Sequence, residues 1–376
     1  MMKSHAVICE LNPMHNGHKY IFDSIGSDAT ESSVKIAVMS GNFTQRCTPA
    51  VFDKYTRAEA ALDSADLVVE LPFPWCASGA EEFAFGGVYT AAGVGASSLT
   101  FGSESGEIEL LRTAAGIKNS GAYVKAVTRT ERENRITGSA VNFDTVMREF
   151  GIEKPLGAND KLASEYIRFG ESAGIGKFSA VRRLTGIKSA TQLREIIFGS
   201  GVVSLADAIP PHAYEIFSSK QAEICTETRY NDILFTYCRT AINDSEENDI
   251  LRYARTAARE VRTADAFVKN LPTKKYTLAR MRREILHAML GVRAEDRKTP
   301  PQFTVLLAAN GRGREYLAEL RRKESGIPVI TKPADTESLS DTAKRQCGIS
   351  YAADELYALC VGERADCFMK KHPVIR

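Results

Sequence analysis

A chain of 376 residues with 44% apolar and 26% charged residues is long enough for two or three domains with buried cores and has the make-up of an ordinary globular protein. Its 49 Lys and Arg against 47 Asp and Glu leave a net charge of +2, so bulk charge selects no partner and only local clustering can. No apolar run approaches the roughly 20 residues that span a bilayer, and the eight scattered cysteines show neither a C-x-x-C pair nor zinc spacing.

Positions 1–4 lead into a strand-like run rather than a basic–apolar leader, so a cytoplasmic location with reduced, core-packed thiols is expected. Short apolar runs at 7–11, 35–40, 66–71 and 98–102 predict strands, and helical patterns at 15–25, 53–64 and 79–92 fall between them. Such alternation predicts parallel strands joined by crossover helices, with ligands at the carboxyl ends of the strands. The pattern continues through a candidate helix at 162–172, so 1–198 reads as a doubly wound, Rossmann-type α/β domain. Residues 199–299 are rich in Ala, Arg, Glu and Leu and read as helices broken at Pro210-Pro211 and Leu271-Pro272. From Pro300 onward, a strand at 303–308, a turn at 311–313, a helix at 315–324 and a strand at 327–331 predict a small C-terminal α/β unit over 300–376.

Chemistry concentrates where the first strand meets the first helix, at His15-Asn16-Gly17-His18. Two histidines three apart at a helix start share one face, and Gly17 between them lets a ligand approach the backbone. The helix N-terminus adds unpaired N–H groups and positive potential, which suits a phosphate. Donors preorganised there stabilise the charge that develops on an α-phosphoryl group during nucleotidyl transfer. A second string, Ser189-Ala190-Thr191-Gln192-Leu193-Arg194, would offer hydroxyls, N–H groups and a guanidinium to phosphate oxygens. Taken singly, each string is also an ordinary helix cap. Together they resemble the phosphate-binding end of the H-I-G-H nucleotidyltransferases.

Between these strings, the run from Ser40-Gly41-Asn42-Phe43-Thr44-Gln45-Arg46 to Asp53-Lys54-Tyr55-Thr56-Arg57 places Asn42, Gln45, Arg46, Lys54 and Arg57 near strand ends, where they could hold an anion. This run closely resembles the tRNA(Met) cytidine acetate ligase family, as do Ala65-Asp66-Leu67-Val68-Val69-Glu70-Leu71-Pro72, Phe101-Gly102-Ser103-Glu104 and Pro272-Thr273-Lys274-Lys275-Tyr276-Thr277. The resemblance implies an enzyme that joins acetate to ATP and passes the acetyl group to the N4 amine of the wobble cytidine in elongator tRNA(Met). It implies catalytic roles for His15 and His18, and a nucleotide wrapped by Val7, Ile8, Cys9, Glu10, Leu11, Asn12, Pro13, Met14, His15, Asn16, Gly17, His18, Lys19 and Tyr20. Gly102, Asn159, Arg183, Ser189 and Thr191 complete the implied ATP contacts, with Mg2+ accompanying ATP and no protein metal ligands. Leu11 and Met14 stand where the family carries aromatic residues, and Cys47 where it carries glycine.

An RNA partner has its own local signal. Lys274, Lys275, Arg280, Arg282 and Arg283 cluster around Tyr276, a basic patch with an interleaved aromatic that suits an RNA backbone; the alternative is a solvated charged face. The expected partners are therefore elongator tRNA(Met) and acetate, with neither membrane nor DNA. Two rivals stay open: a nucleotidyltransferase of cofactor biosynthesis, and a non-catalytic RNA-binding protein.

Overall fold

The apolar runs form strands because they carry Val, Ile, Leu and Ala on both faces: β1 (Lys3–Cys9), β2 (Ser33–Ser40), β3 (Leu67–Leu71) and β4 (Ser98–Ser103). β3 is buried at every position, as a strand covered on both sides must be. This is a computed structural model, and it describes residues 2–26, 33–134, 143–243, 246, 248–323 and 326–376. Helices α1 (Asn16–Asp23), α2 (Lys54–Ala61) and α3 (Ala80–Gly93) follow the first three strands in turn. After β4 come α4 (Ile108–Lys118), α5 (Gly121–Asn134), α6 (Phe143–Arg148) and α7 (Ala158–Ser172), and then a fifth strand, β5 (Lys177–Arg182).

The sheet order is β5-β4-β1-β2-β3-β6-β7, and the first five strands pair in parallel. Read from β3, the order 3-2-1-4-5 is the doubly wound arrangement expected, and the strand order reverses between β1 and β4. That reversal opens a crevice at the carboxyl ends of these two strands.

The middle of the chain is helical, as its composition predicts: α8 (Ala190–Ser200), α9 (Pro211–Ser219), α10 (Glu227–Thr240), α11 (Asp249–Glu260), α12 (Ala264–Asn270), α13 (Leu278–Met289) and α14 (Ala294–Lys298). Pro211 opens α9, where its missing N–H costs nothing. The C-terminal α/β segment is present with β6 (Thr304–Ala309), α15 (Gly311–Arg322), β7 (Val329–Ile330), α16 (Asp341–Val361) and β8 (Val374–Ile375). Its strands do not build a sheet of their own. β6 pairs antiparallel with β3 and carries β7 and β8 beside it, so the segment extends the N-terminal sheet and covers an edge that would otherwise present unpaired N–H and C=O groups. The expected turn at 311–313 is the first turn of α15: Asn310 caps it by accepting from the Gly313 N–H at 3.0 Å. The expected 315–324 helix ends at Arg322, and residue 324 lies outside the described residues.

Three polar residues expected to hold an anion hold the fold together instead. The Lys54 ammonium is buried between Glu70 at 2.7 Å and Asp354 at 2.6 Å, and Asn42 donates to the other Asp354 oxygen at 2.8 Å. This ties α2 and β3 to α16. Arg57, fully buried, donates to the carbonyls of Glu10 at 2.6 Å, Phe52 at 2.9 Å and Ser40 at 3.1 Å, and to that of Gly41. Both groups lock the loops at the strand ends.

Cys47 and Leu11 adopt φ of 58° and 48°, the left-handed region that disfavours side chains. Glycine suits the first position for that reason, and here the buried Cys47 thiol donates to the Ala77 carbonyl at 3.0 Å. Seven of the eight cysteines are buried and all are free.

Candidate active site

A cavity of about 250 Å³ lies at the crevice between β1 and β4. Val7, Ile8 and Cys9 of β1 form its floor, with Phe101 and Gly102 of β4 beside them. The start of α1 contributes His15, Gly17, His18 and Tyr20, α7 contributes Asn159, and the segment after β5 contributes Arg183. Ten of the residues expected around a nucleotide therefore share one cavity: Val7, Ile8, Cys9, His15, Gly17, His18, Tyr20, Gly102, Asn159 and Arg183.

His15 is the N-cap of α1, and its Nδ1 accepts from the N–H groups of Gly17 at 3.0 Å and His18 at 3.3 Å. His18 Nδ1 accepts in return from the His15 N–H at 3.3 Å, and the two rings stack with centroids 3.7 Å apart. An Nδ1 that accepts leaves the proton on Nε2 in a neutral imidazole. Both rings thus carry an Nε2–H donor on the side away from their own backbone. Burial, then the Arg183 guanidinium, depresses His15 to about 4. Burial, then His15 and Arg183, holds His18 well below the ordinary imidazole value. At neutral pH the pair is two uncharged donors. Gly17 is required here: a Cβ would lie 2.8 Å from His15 Cε1 and 3.0 Å from Nδ1.

Asn159 and Arg183 are set by Glu104, which accepts from Asn159 Nδ2 at 2.7 Å and lies 3.8 Å from the Arg183 guanidinium. Beneath them the buried Asp160 accepts from the N–H groups of Glu104 at 3.0 Å and Ser105 at 3.1 Å, fixing the loop after β4.

The remaining expected contacts shape the loop from behind it. Leu11 and Met14 are fully buried in the core, which is where the aromatic residues of the family motif have been replaced. Glu10 accepts from the Gln45 N–H at 2.7 Å, Asn12 from the Val51 N–H at 2.9 Å, and the Asn12–Pro13 peptide is cis. Asn16 donates to the Asp207 carbonyl at 3.0 Å, and Lys19 pairs with Asp23 at 2.6 Å. Ser189 is spent on capping α8, where its Oγ accepts from the Gln192 N–H at 3.3 Å. Thr191 accepts from Arg194 at 3.1 Å and lines a different cavity. The cavity wall instead uses their neighbours Lys188 and Ala190.

Sequence reasoning missed the apolar wall of Ile21, Leu162, Tyr166, Leu184 and Ile187, and Arg182, which lines the cavity together with Arg183. Isolated apolar residues on separate elements leave no motif. Among the described residues there is no group of three or more His, Cys, Asp or Glu that could hold a metal ion.

In the basic region, Lys274 and Lys275 are exposed, and the Lys275 ammonium sits 5.0 Å over the Tyr276 ring. Arg280 pairs with Glu284 at 2.9 Å, and Arg283 donates to the Gln45 carbonyl at 3.3 Å. Arg282 departs from the expected surface patch: it is buried and bonded to Glu227 at 2.7 Å and Asn231 at 3.1 Å.

With this geometry in view, the chain matches the HIGH Nucleotidyl Transferase family over residues 2–370. It is 31% identical to the tRNA(Met) cytidine acetate ligase of Thermoanaerobacter sp. (strain X514), covering 89% of this chain and 90% of that one. It is 30% identical to the protein of the same name from Limosilactobacillus reuteri, covering 100% and 99%. The crystal structure of Thermotoga maritima TmcAL bound with alpha-thio ATP superposes with a TM-score of 0.85 at 26% identity, covering 100% of this chain and 99% of that one.

Proposed function

This chain belongs to the tRNA(Met) cytidine acetate ligase family of HIGH nucleotidyl transferases, and from that membership we propose that it ligates acetate to the N4 amine of the wobble cytidine in elongator tRNA(Met) at the expense of ATP. An acetate oxygen attacks the α-phosphorus, the bond from that phosphorus to the bridging β-oxygen breaks, and pyrophosphate leaves with acetyl-adenylate remaining. The cytidine amine then attacks the acetyl carbonyl carbon, loses a proton and displaces AMP.

The observation that carries this reading is the stacked His15–His18 pair, each Nδ1 held by backbone, at the switch-point cavity. Two neutral Nε2–H donors fixed before the substrate arrives stabilise negative charge growing on the α-phosphoryl oxygens at no cost of reorganisation. Arg182, Arg183 and Lys188 supply the positive charge that the leaving pyrophosphate requires. Ile21, Leu162 and Tyr166 offer the apolar surface a purine needs. A magnesium ion that arrives with ATP is carried by the phosphates, and no step here is assigned to it.

Exposed Lys274 and Lys275 are assigned to the tRNA backbone. We place the reaction in the cytoplasm; among the described residues no helix is long and apolar enough to cross a membrane. The cofactor-making rival leaves α9 to α14 and their basic loop without a task, whereas the relatives run the full length of the chain.

Labelled acetate, ATP and a tRNA(Met) transcript test the reading. Label should enter the RNA only when ATP is present, and a transcript with uridine at the wobble position should take up none. Label entering the uridine transcript equally well would refute cytidine as the acceptor.

A further inference from the structure

A second cavity, about 430 Å³, lies along α8. Thr191, Arg194, Glu195 and Phe198 face it, the i, i+3, i+4, i+7 stripe of one helix. Arg46, from the loop after β2, and Arg282, from α13, close it. Three arginines thus converge on one polar space. Arg46 is exposed, and Arg282, although buried against Glu227, leaves its Nε without a hydrogen-bond partner. Phe198 presents 49% of its surface to solvent in this charged setting, where an apolar ring has no packing reason to be.

We propose that this cavity seats a single-stranded nucleotide of the substrate RNA flanking the acceptor cytidine, with its phosphate on Arg46 and Arg194 and its base stacked on Phe198. The assignment rests on the tRNA-acetylating reading above. Guanidinium groups match phosphate oxygens, and an exposed aromatic ring accepts any base face. Position completes the case. Ala190 lines the nucleotide cavity and the next residue, Thr191, lines this one. Arg194 also donates to the Asn12 carbonyl at 2.8 Å, in the loop that leads to His15. A strand held here delivers its neighbouring base across one turn of helix to the adenylate.

Phe198→Ala, Phe198→Trp and Arg46→Ala test this on the full chain with a tRNA(Met) transcript. Phe198→Ala should weaken transcript binding about tenfold, and Phe198→Trp should restore it, since a stacked ring and not a shape is required. Arg46→Ala should lower the slope of log affinity on log salt by about 0.7. The KM for ATP in acetate-dependent pyrophosphate exchange should stay as in the parent. Unchanged transcript affinity in both alanine variants, or a shift in the KM for ATP instead, overturns the assignment. A parent protein that exchanges pyrophosphate with acetate yet binds no transcript overturns it together with the RNA reading beneath it.

Discussion

On the proposed reading, His18→Ala removes one of two donors aimed at charge that develops only in the transition state. Turnover should fall by about 10²-fold or more while the affinity for ATP moves much less, measured by exchange kinetics beside equilibrium ATP binding. Equal losses in both would make the histidine a binding group only. His15 carries a pH signature as well. Its value is about 4 in the folded chain, depressed first by burial and then by Arg183, against about 6.5 when unfolded. Its stabilising share is therefore present above pH 6.5 and is lost as pH falls through 4. His15→Asn keeps a good N-cap without a titrating ring, so its melting temperature should fall less steeply than the parent's between those values. Parallel curves would contradict the depressed imidazole. The histidines were legible because cap, glycine and partner all lie within four consecutive residues. Tyr166 and Leu162 were not, since an apolar residue on a distant helix looks the same whether it packs a core or walls a cavity. Ser189 and Thr191 lie outside the lining of the β1–β4 cavity, the first spent on its helix cap and the second held by Arg194.

At the scale of elements, the buried Lys54–Glu70–Asp354 cluster joins three segments that are distant in sequence. One cation between two carboxylates leaves a proton to be held, and burial raises Glu70 to about 7. Lys54→Met should destabilise the chain by about 3–5 kcal/mol in chemical denaturation, because two unpaired carboxylates remain buried. The deficit should shrink on acidification from pH 7 toward 5, as protonation discharges Glu70. A deficit that does not vary with pH would mean that the charges are already solvated. The strands β1 to β4 were legible, but in β5 the apolar Phe178, Ala180 and Val181 are interrupted by Ser179 and flanked by Lys177 and Arg182, too short a run to stand out. α16 was hidden too. Its buried face includes Gln346, Ser350 and Asp354, polar residues whose partners, the Gln302 N–H, the Phe73 N–H and the Lys54 ammonium, come from distant parts of the chain. The 311–313 glycines read as a turn because Gly313 is needed where α15 passes against the Asp66 carbonyl, a contact invisible in the local string.

For the whole molecule the proposed division of work is adenylation at the β1–β4 crevice and RNA contact on the helical segment. Reversing Lys274 and Lys275 to Glu should weaken tRNA binding and reduce its salt slope by about 0.7–0.9 per lost phosphate contact, with pyrophosphate exchange retained. Loss of exchange in a folded double variant would mean that the basic loop supports the ATP site. The helical middle of the chain was legible as a change of composition near residue 199. The return of the C-terminal strands to the first sheet was not, since edge pairing of β6 with β3 depends on register between runs more than 200 residues apart. His15, His18 and the crevice are proposed to activate acetate without help from RNA. This is tested most directly by exchange of labelled pyrophosphate into ATP, with the RNA-free protein, in the presence and absence of acetate. Exchange should appear only when acetate is added and should be lost in His18→Ala. Exchange that proceeds equally without acetate, or that begins only when tRNA is supplied, would contradict it.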